Sequence, residues 1–314
     1  MSSERIAASV RQRLITLHRH VNVSHELLMR RYAFERLLDR LSRSEFRREL
    51  CLKGAMAFFA ISGDVNRPTR DMDFAGREPM TKDDLLAIWK AVAAIVPDKD
   101  DGLEFLVDGF EAQPIQADDE EPGVQIKGIC MLGSARVPLK LEVSFGSALT
   151  PGAVVMDYPT LLAEFAPPRV LCYSAETILA EKFEAICSLG TFNSRFKDFY
   201  DIREISRRVD FDGAIAAEAF RNTFSRRGTA LPSENPASFQ PDFEAIGERG
   251  WRAFQRRQGF VDAQSFAELV AEITPLVMGV VSLAKGQEGL PYWKPGNGWV
   301  NAPRPDDART FESF

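Results

Sequence analysis

Asp71 and Asp73 stand two apart in the run Arg67-Pro68-Thr69-Arg70-Asp71-Met72-Asp73-Phe74. Side chains two apart on a strand point the same way, so the spacing aims both carboxylates at one divalent cation. Upstream, Lys53-Gly54-Ala55 reads as a glycine turn opening a short apolar helix. The unpaired N–H groups and positive dipole end of such a helix can hold a phosphate without a special side chain. An acid pair for a metal next to a phosphate-holding helix start is the chemistry of moving a nucleotide. Lys140 and Glu142, again two apart, place a third carboxylate on one strand face, able to complete a metal site or to help deprotonate an attacking hydroxyl.

Two helical constellations follow, Ala180-Glu181-Lys182-Phe183-Glu184-Ala185 and Arg195-Phe196-Lys197-Asp198-Phe199-Tyr200-Asp201-Ile202. Asp198 and Asp201, three apart, share a helix face with Arg195. Taken alone they read as a surface salt-bridge cluster, with Phe196, Phe199 and Ile202 on the core side.

The elements that must position these groups follow from periodicity. Residues 4–22 and 24–49 repeat apolar positions at helical spacing, a helical lead-in over 1–50. A helix over 55–61, a strand over 71–75 and a helix over 82–96 capped by Thr81 follow. Short alternating segments at 103–107, 124–132 and 136–144 predict a small mixed sheet, so 51–150 is expected to be an α/β nucleotide-handling core. Pro151, Pro159, Pro167 and Pro168 mark 146–172 as an irregular crossover. From Ser174 onward helices dominate, giving a mainly helical domain over 151–285 and an extended tail over 286–314.

At 314 residues, 45% apolar and 27% charged, the chain is long enough for two domains. The apolar runs Ala87 to Val96 and Ile273 to Leu283 fall short of the ~20 residues that cross a bilayer. The Arg-bearing N-terminal pattern is not a signal core, and a cytoplasmic location is expected. Cys51, Cys130, Cys172 and Cys187 lack zinc or redox spacing and read as reduced core residues, and His18, His20 and His25 as surface residues. Net charge is −6, yet residues 1–50 hold eleven arginines against six acids, while 98–121 carry ten acids against Lys99 alone. One region could face phosphates and the other repel them.

In order and spacing, the four segments resemble the AbiEii/AbiGii nucleotidyltransferase toxins, within the DNA polymerase β-like superfamily, over roughly residues 50–205. The first motif stands as Lys53-Gly54-Ala55 with Arg67-x-Thr69-x-Asp71-x-Asp73, the second as Lys140-Leu141-Glu142, the third as Lys182 with Ala185, and the fourth as Asp198-Phe199-Tyr200-Asp201-Ile202. Ala55 stands where the family commonly has a second Gly or a Ser, and Glu142 where it often has Asp.

The resemblance implies an α/β (α+β) fold with an N-terminal nucleotidyltransferase domain on a small mixed sheet and a C-terminal helical domain. It implies an NTP that, with Mg²⁺ or Mn²⁺, donates its nucleoside monophosphate and releases pyrophosphate, in a toxin–antitoxin or phage-defence (abortive infection) setting with a cognate antitoxin. The leading acceptor is the 3′ end of tRNA. A protein hydroxyl is the alternative, and an inactive NTP- or RNA-binding module is the reading from another class. Asp71 and Asp73 would hold the metal. Gly54 and Ala55 would offer backbone donors to the triphosphate, with Lys53, Thr69, Lys140, Glu142 and Asp201 around the nucleotide and Arg67 holding the turn. Lys182 would neutralise phosphate charge, oriented by Asp198 and Asp201. The arginine-rich N-terminal helices and the pairs Arg207/Arg208, Arg226/Arg227 and Arg256/Arg257 are candidate RNA contacts. Thr69, two before Asp71, is a position where an added phosphate would compete with metal and NTP.

Overall fold

The computed structural model describes residues 3–21, 23–63, 69–115, 123–259, 264–301, 311–312 and 314. It divides into two compact units, one of residues 1–147 with 155–172 and 314, the other of 148–154 with 173–313.

The first unit opens with α1 (Ser3–His18) and α2 (His25–Arg43), followed by β1 (Leu50–Lys53), α3 (Gly54–Ser62), β2 (Met72–Gly76), α4 (Lys82–Ala94), β3 (Leu103–Phe105), β4 (Glu111–Pro114), β5 (Gly123–Leu132) and β6 (Ala135–Phe145). Then come β7 (Ala153–Asp157), whose first two residues belong to the second unit, and β8 (Arg169–Tyr173). The sheet runs β7-β8-β1-β2-β6-β5-β3, with β4 also on β5. β1 is antiparallel to β2, β2 is parallel to β6, and β5 and β6 form a hairpin. The hairpin turns at Gly133-Ser134, where Gly133 takes φ +60°, as a two-residue turn requires.

Met72 and Phe74 of β2 are fully buried, and Phe74 meets Trp89 of α4 at 5.1 Å between ring centres. Strand alternation therefore turns Asp71 and Asp73 to the other side, where they are half-exposed. α4 starts on a capping box between Thr81 and Asp84.

Two expectations change in this unit, and the packing of the lead-in is a further finding. The second helix stops at Arg43, capped by Ser44, and the chain re-emerges as β1, an apolar run too short to separate by pattern from the helix after it. The 146–172 stretch is not wholly irregular, since β7 and β8 lie within it and β8 pairs in parallel with β1. The helical lead-in is part of the core: Ala7, Val10, Leu14 and Tyr32 pack with Leu132, Leu162 and Phe165.

The second unit holds α5 (Ala175–Leu189), α6 (Phe196–Ser206), β9 (Phe211–Asp212), α7 (Gly213–Arg226), α8 (Glu244–Gln258), α9 (Phe266–Ala284), β10 (Tyr292–Lys294), β11 (Gly298–Val300) and β12 (Phe311–Glu312). Phe183, Phe199, Phe220, Phe224, Phe239 and Phe266 stack or meet edge-on to fill its core. By length and composition α9 could cross a bilayer, longer than the run expected from sequence, but it buries Leu269, Ile273, Leu276, Val277 and Val280 against neighbouring helices. The tail includes the antiparallel pair β10–β11, joined to β9, with Trp293 and Trp299 edge to face.

Candidate active site

In the first unit, α3 begins at Gly54 with φ +64°, a left-handed conformation that costs residues with a Cβ roughly 1–2 kcal/mol. A Cβ placed there would meet Asp73 Oδ2 at 2.2 Å. Lys53 supplies no side-chain cap to the helix, so residue 53 does not occupy the first N–H groups. Its ammonium instead donates to Ser144 Oγ at 2.6 Å. Ala55 follows in the first turn, half-exposed. Thr69 Oγ donates to Asp71 Oδ1 at 2.6 Å and fixes that carboxylate.

β6 brings its polar residues to the same place, because Asp73 lies beside Glu142 in the parallel register. Lys140 Nζ lies 2.6 Å from Glu142 Oε1 and 3.7 Å from Asp71 Oδ2. Burial would lower the Lys140 pKa, but the hydrogen bond and charge of Glu142, then Asp71 and Asp73, outweigh it and hold it above the ordinary value. Gln125 Nε2 donates to the same Glu142 oxygen at 2.9 Å, and Gln113 Nε2 donates to Gln125 Oε1 at 2.9 Å. Glu142 is thus engaged by Lys140 and Gln125, and the three carboxylates do not converge: among the described residues no three acidic, imidazole or thiol side chains form a metal-sized cluster.

Asp71 and Asp73 fit a divalent cation as a pair. They are hard oxygen donors on one face, and the acids around them already hold a cationic group in Lys140. Arg67 lies outside the described residues.

In the second unit, Lys182 Nζ contacts Asp198 Oδ1 at 3.0 Å and Asp201 Oδ2 at 2.6 Å, and Arg195 Nε reaches Asp198 Oδ2 at 2.7 Å. Both aspartates are fully buried, which overturns the reading as a surface salt-bridge cluster. Burial pushes the Asp198 carboxyl up, yet Lys182, then Arg195 and Lys197, overcome it and hold its pKa below the ordinary value. The two aspartates hold the Lys182 ammonium from one side, and its side chain keeps 12% exposure. Phe196, Phe199 and Ile202 are buried as expected.

The sequence profile described as "Nucleotidyl transferase AbiEii toxin, Type IV TA system" matches residues 36–272, three quarters of the chain. The chain belongs to the AbiEii nucleotidyltransferase toxin family. Among solved structures, a Helicobacter pylori protein assigned to the nucleotidyltransferases is similar at 15% identity over 85% of this chain and 100% of its own, with a TM-score of 0.48. JHP933 from Helicobacter pylori is similar at 14% identity over 84% of this chain and 95% of its own, also at 0.48. No curated protein sequence matches.

The toxin's basic surface differs from the one expected. Arg30, Arg31, Arg36 and Arg40 of α2 are buried. Arg31 and Arg36 lie over the rings of Phe59 and Phe165, Arg36 pairs with the buried Glu35, and Arg40 grips Asp101 at 2.6 and 3.3 Å. They are core cations and cannot meet a phosphate backbone. Arg207 pairs with Glu272 and Arg227 with the buried Glu184, whereas Arg226, Arg256 and Arg257 are exposed. Sequence reasoning missed Ser144 and Gln125. Ser144 was within reach, standing two beyond Glu142 on the same strand face, whereas Gln125 needs the β5–β6 register, which no local pattern carries.

Proposed function

We propose that this toxin transfers a nucleoside monophosphate from an NTP to the 3′ acceptor end of tRNA in the cytoplasm, with Mg²⁺ or Mn²⁺ held by Asp71 and Asp73. The observation that carries the reading is the seat of Asp73 against Gly54, which brings one of two paired carboxylates to the start of a helix that Lys53 does not cap with its side chain. A divalent ion there would offset triphosphate charge and favour release of pyrophosphate.

The protein's own groups do the rest. Gly54, Ala55 and the next N–H groups of α3 take the phosphates. Lys53, Ser144 and Lys140 line that face, and Thr69 keeps Asp71 oriented. Glu142, its Oε1 fixed by Lys140 and Gln125, accepts the proton of the attacking hydroxyl. Lys182, locked by Asp198 and Asp201, neutralises charge developing on the transferred phosphates. A cognate antitoxin is the partner that restrains the activity.

The test is incubation of the purified protein with each labelled NTP, Mg²⁺, and either total tRNA or a tRNA-free protein lysate. Label is expected in tRNA with the wild type and in neither fraction with Asp71→Ala. Label on protein would establish the alternative acceptor. An Asp71→Ala variant as growth-inhibitory as the wild type would make the fold a binding module.

A further inference from the structure

Phe192 is 91% exposed, the most exposed large apolar side chain among the described residues. It sits on a 3-10 turn, Gly190–Phe192, between α5 and α6, the helices that carry Lys182 and Asp198. The turn is held in shape: Gly190 takes φ +51°, Asn193 N donates to Gly190 O at 3.3 Å, and Arg195 N donates to Asn193 Oδ1 at 2.7 Å. Asn193 itself is buried, and the turn packs against the 3-10 turn Ala237–Phe239. The ring therefore stands in water on a fixed base.

Its surroundings select what covers it. Thr191, Ser194, Arg195 and Lys197 are its exposed neighbours in sequence, all of them polar or basic. From Ser188 to Lys197 there is no acidic residue, and the acids that follow, Asp198 and Asp201, are fully buried on Lys182. Arg195 gives its Nε to Asp198 while its side chain stays 48% exposed. An exposed aromatic ring followed within five residues by an exposed arginine and an exposed lysine matches an unpaired nucleotide, with the base on the ring and phosphates on the cations. Duplex RNA, whose bases are stacked on each other, offers the ring nothing.

We infer that Phe192, with Arg195 and Lys197, is a docking point for the single-stranded end of the RNA acceptor, one unpaired base stacking on the phenyl ring. The inference rests on the RNA-acceptor reading above and adds where the unpaired end is held. The test measures binding of a labelled single-stranded RNA oligonucleotide and of a blunt RNA hairpin of equal length, at one salt concentration, to full-length wild type, Phe192→Ala and Phe192→Trp. At so exposed a site the variants should melt with the wild type, which a thermal scan checks.

Phe192→Ala is expected to bind the single strand roughly five- to a hundred-fold more weakly, as loss of one base stack predicts, and to bind the hairpin unchanged. Phe192→Trp should bind like the wild type and show indole quenching on adding the single strand beyond that of the native tryptophans. Equal affinity of Phe192→Ala and wild type for the single strand, or an equal loss on both RNAs, overturns the inference. If the wild type labels tRNA in either case, the acceptor reading survives without it. A wild type that binds no RNA and labels protein overturns both.

Discussion

Asp73 Oδ2 lies where a Cβ on Gly54 would stand, only 2.2 Å from that position. The acid pair and the helix start are therefore parts of one construction, and the smallest possible substitution at Gly54 must disturb both.

Gly54→Ala tests this against a matched control. Gly63 ends the same helix at φ +66° with nothing within 4 Å of its would-be Cβ. Each alanine carries the left-handed penalty of about 1–2 kcal/mol, so both variants should melt lower by a few degrees, Gly54→Ala the lower of the two because it also meets Asp73. Only Gly54→Ala also pushes on Asp73, and we expect it to lose at least about a hundred-fold in nucleotidyl transfer while Gly63→Ala keeps near wild-type turnover. Equal activity in the two would dissociate Gly54 from the chemistry.

Thr69 holds Asp71 through a 2.6 Å hydrogen bond. Removing the donor in Thr69→Val should cost roughly 1 kcal/mol of carboxylate positioning, a fall of several-fold in transfer. Thr69→Glu sets a third negative charge against Asp71 and should abolish transfer, as would phosphorylation of the hydroxyl. A Thr69→Glu protein with wild-type turnover in the labelled-NTP assay would remove Thr69 from the site.

Asp198 makes stability fall in acid. Its pKa is depressed in the folded state, so its contribution is complete above about pH 4, the ordinary aspartate value, and is lost as pH falls through the lower folded pKa. In urea melts, wild type should lose stability below pH 4 more steeply than Asp198→Asn. Lys182→Met leaves two buried aspartates without their shared cation and should cost about 3–5 kcal/mol, which separates this cluster from an exposed ion pair worth under about 1. Lys182→Met melting with the wild type would contradict the buried assignment.

The part of the site that sequence could disclose is the part written along one strand. The alternation of Asp71, Met72, Asp73 and Phe74 gives both the acid pair and the buried side, and Lys140-x-Glu142 gives the next strand. What stayed hidden depends on tertiary register. Gln125 meets Glu142 only through the β5–β6 pairing, and the fate of Glu142, engaged by Lys140 and Gln125, follows from that. β1 and β8 were hidden because short apolar runs beside helices carry no period to tell them apart. Charge misled where the partner is distant in sequence: Asp198 and Asp201 are buried on Lys182, and Arg40 on Asp101.

Arg40 shows what that error means for RNA binding. It donates to both oxygens of Asp101, and both side chains are almost wholly buried. Arg40 also lies over the ring of Phe105. Arg40→Ala would strand a buried carboxylate and remove packing, so we expect a loss of about 3–5 kcal/mol in urea melts. Because the guanidinium never faces solvent, the salt dependence of tRNA affinity should not change where the variant remains folded. The exposed Arg256 and Arg257 should behave in the opposite way. Arg256→Ala with Arg257→Ala should melt like the wild type and lower the slope of log affinity against log salt by up to about 2 if both meet phosphates. A double variant with an unchanged slope would take that end of α8 out of the RNA surface, and an altered slope in Arg40→Ala would contradict its burial.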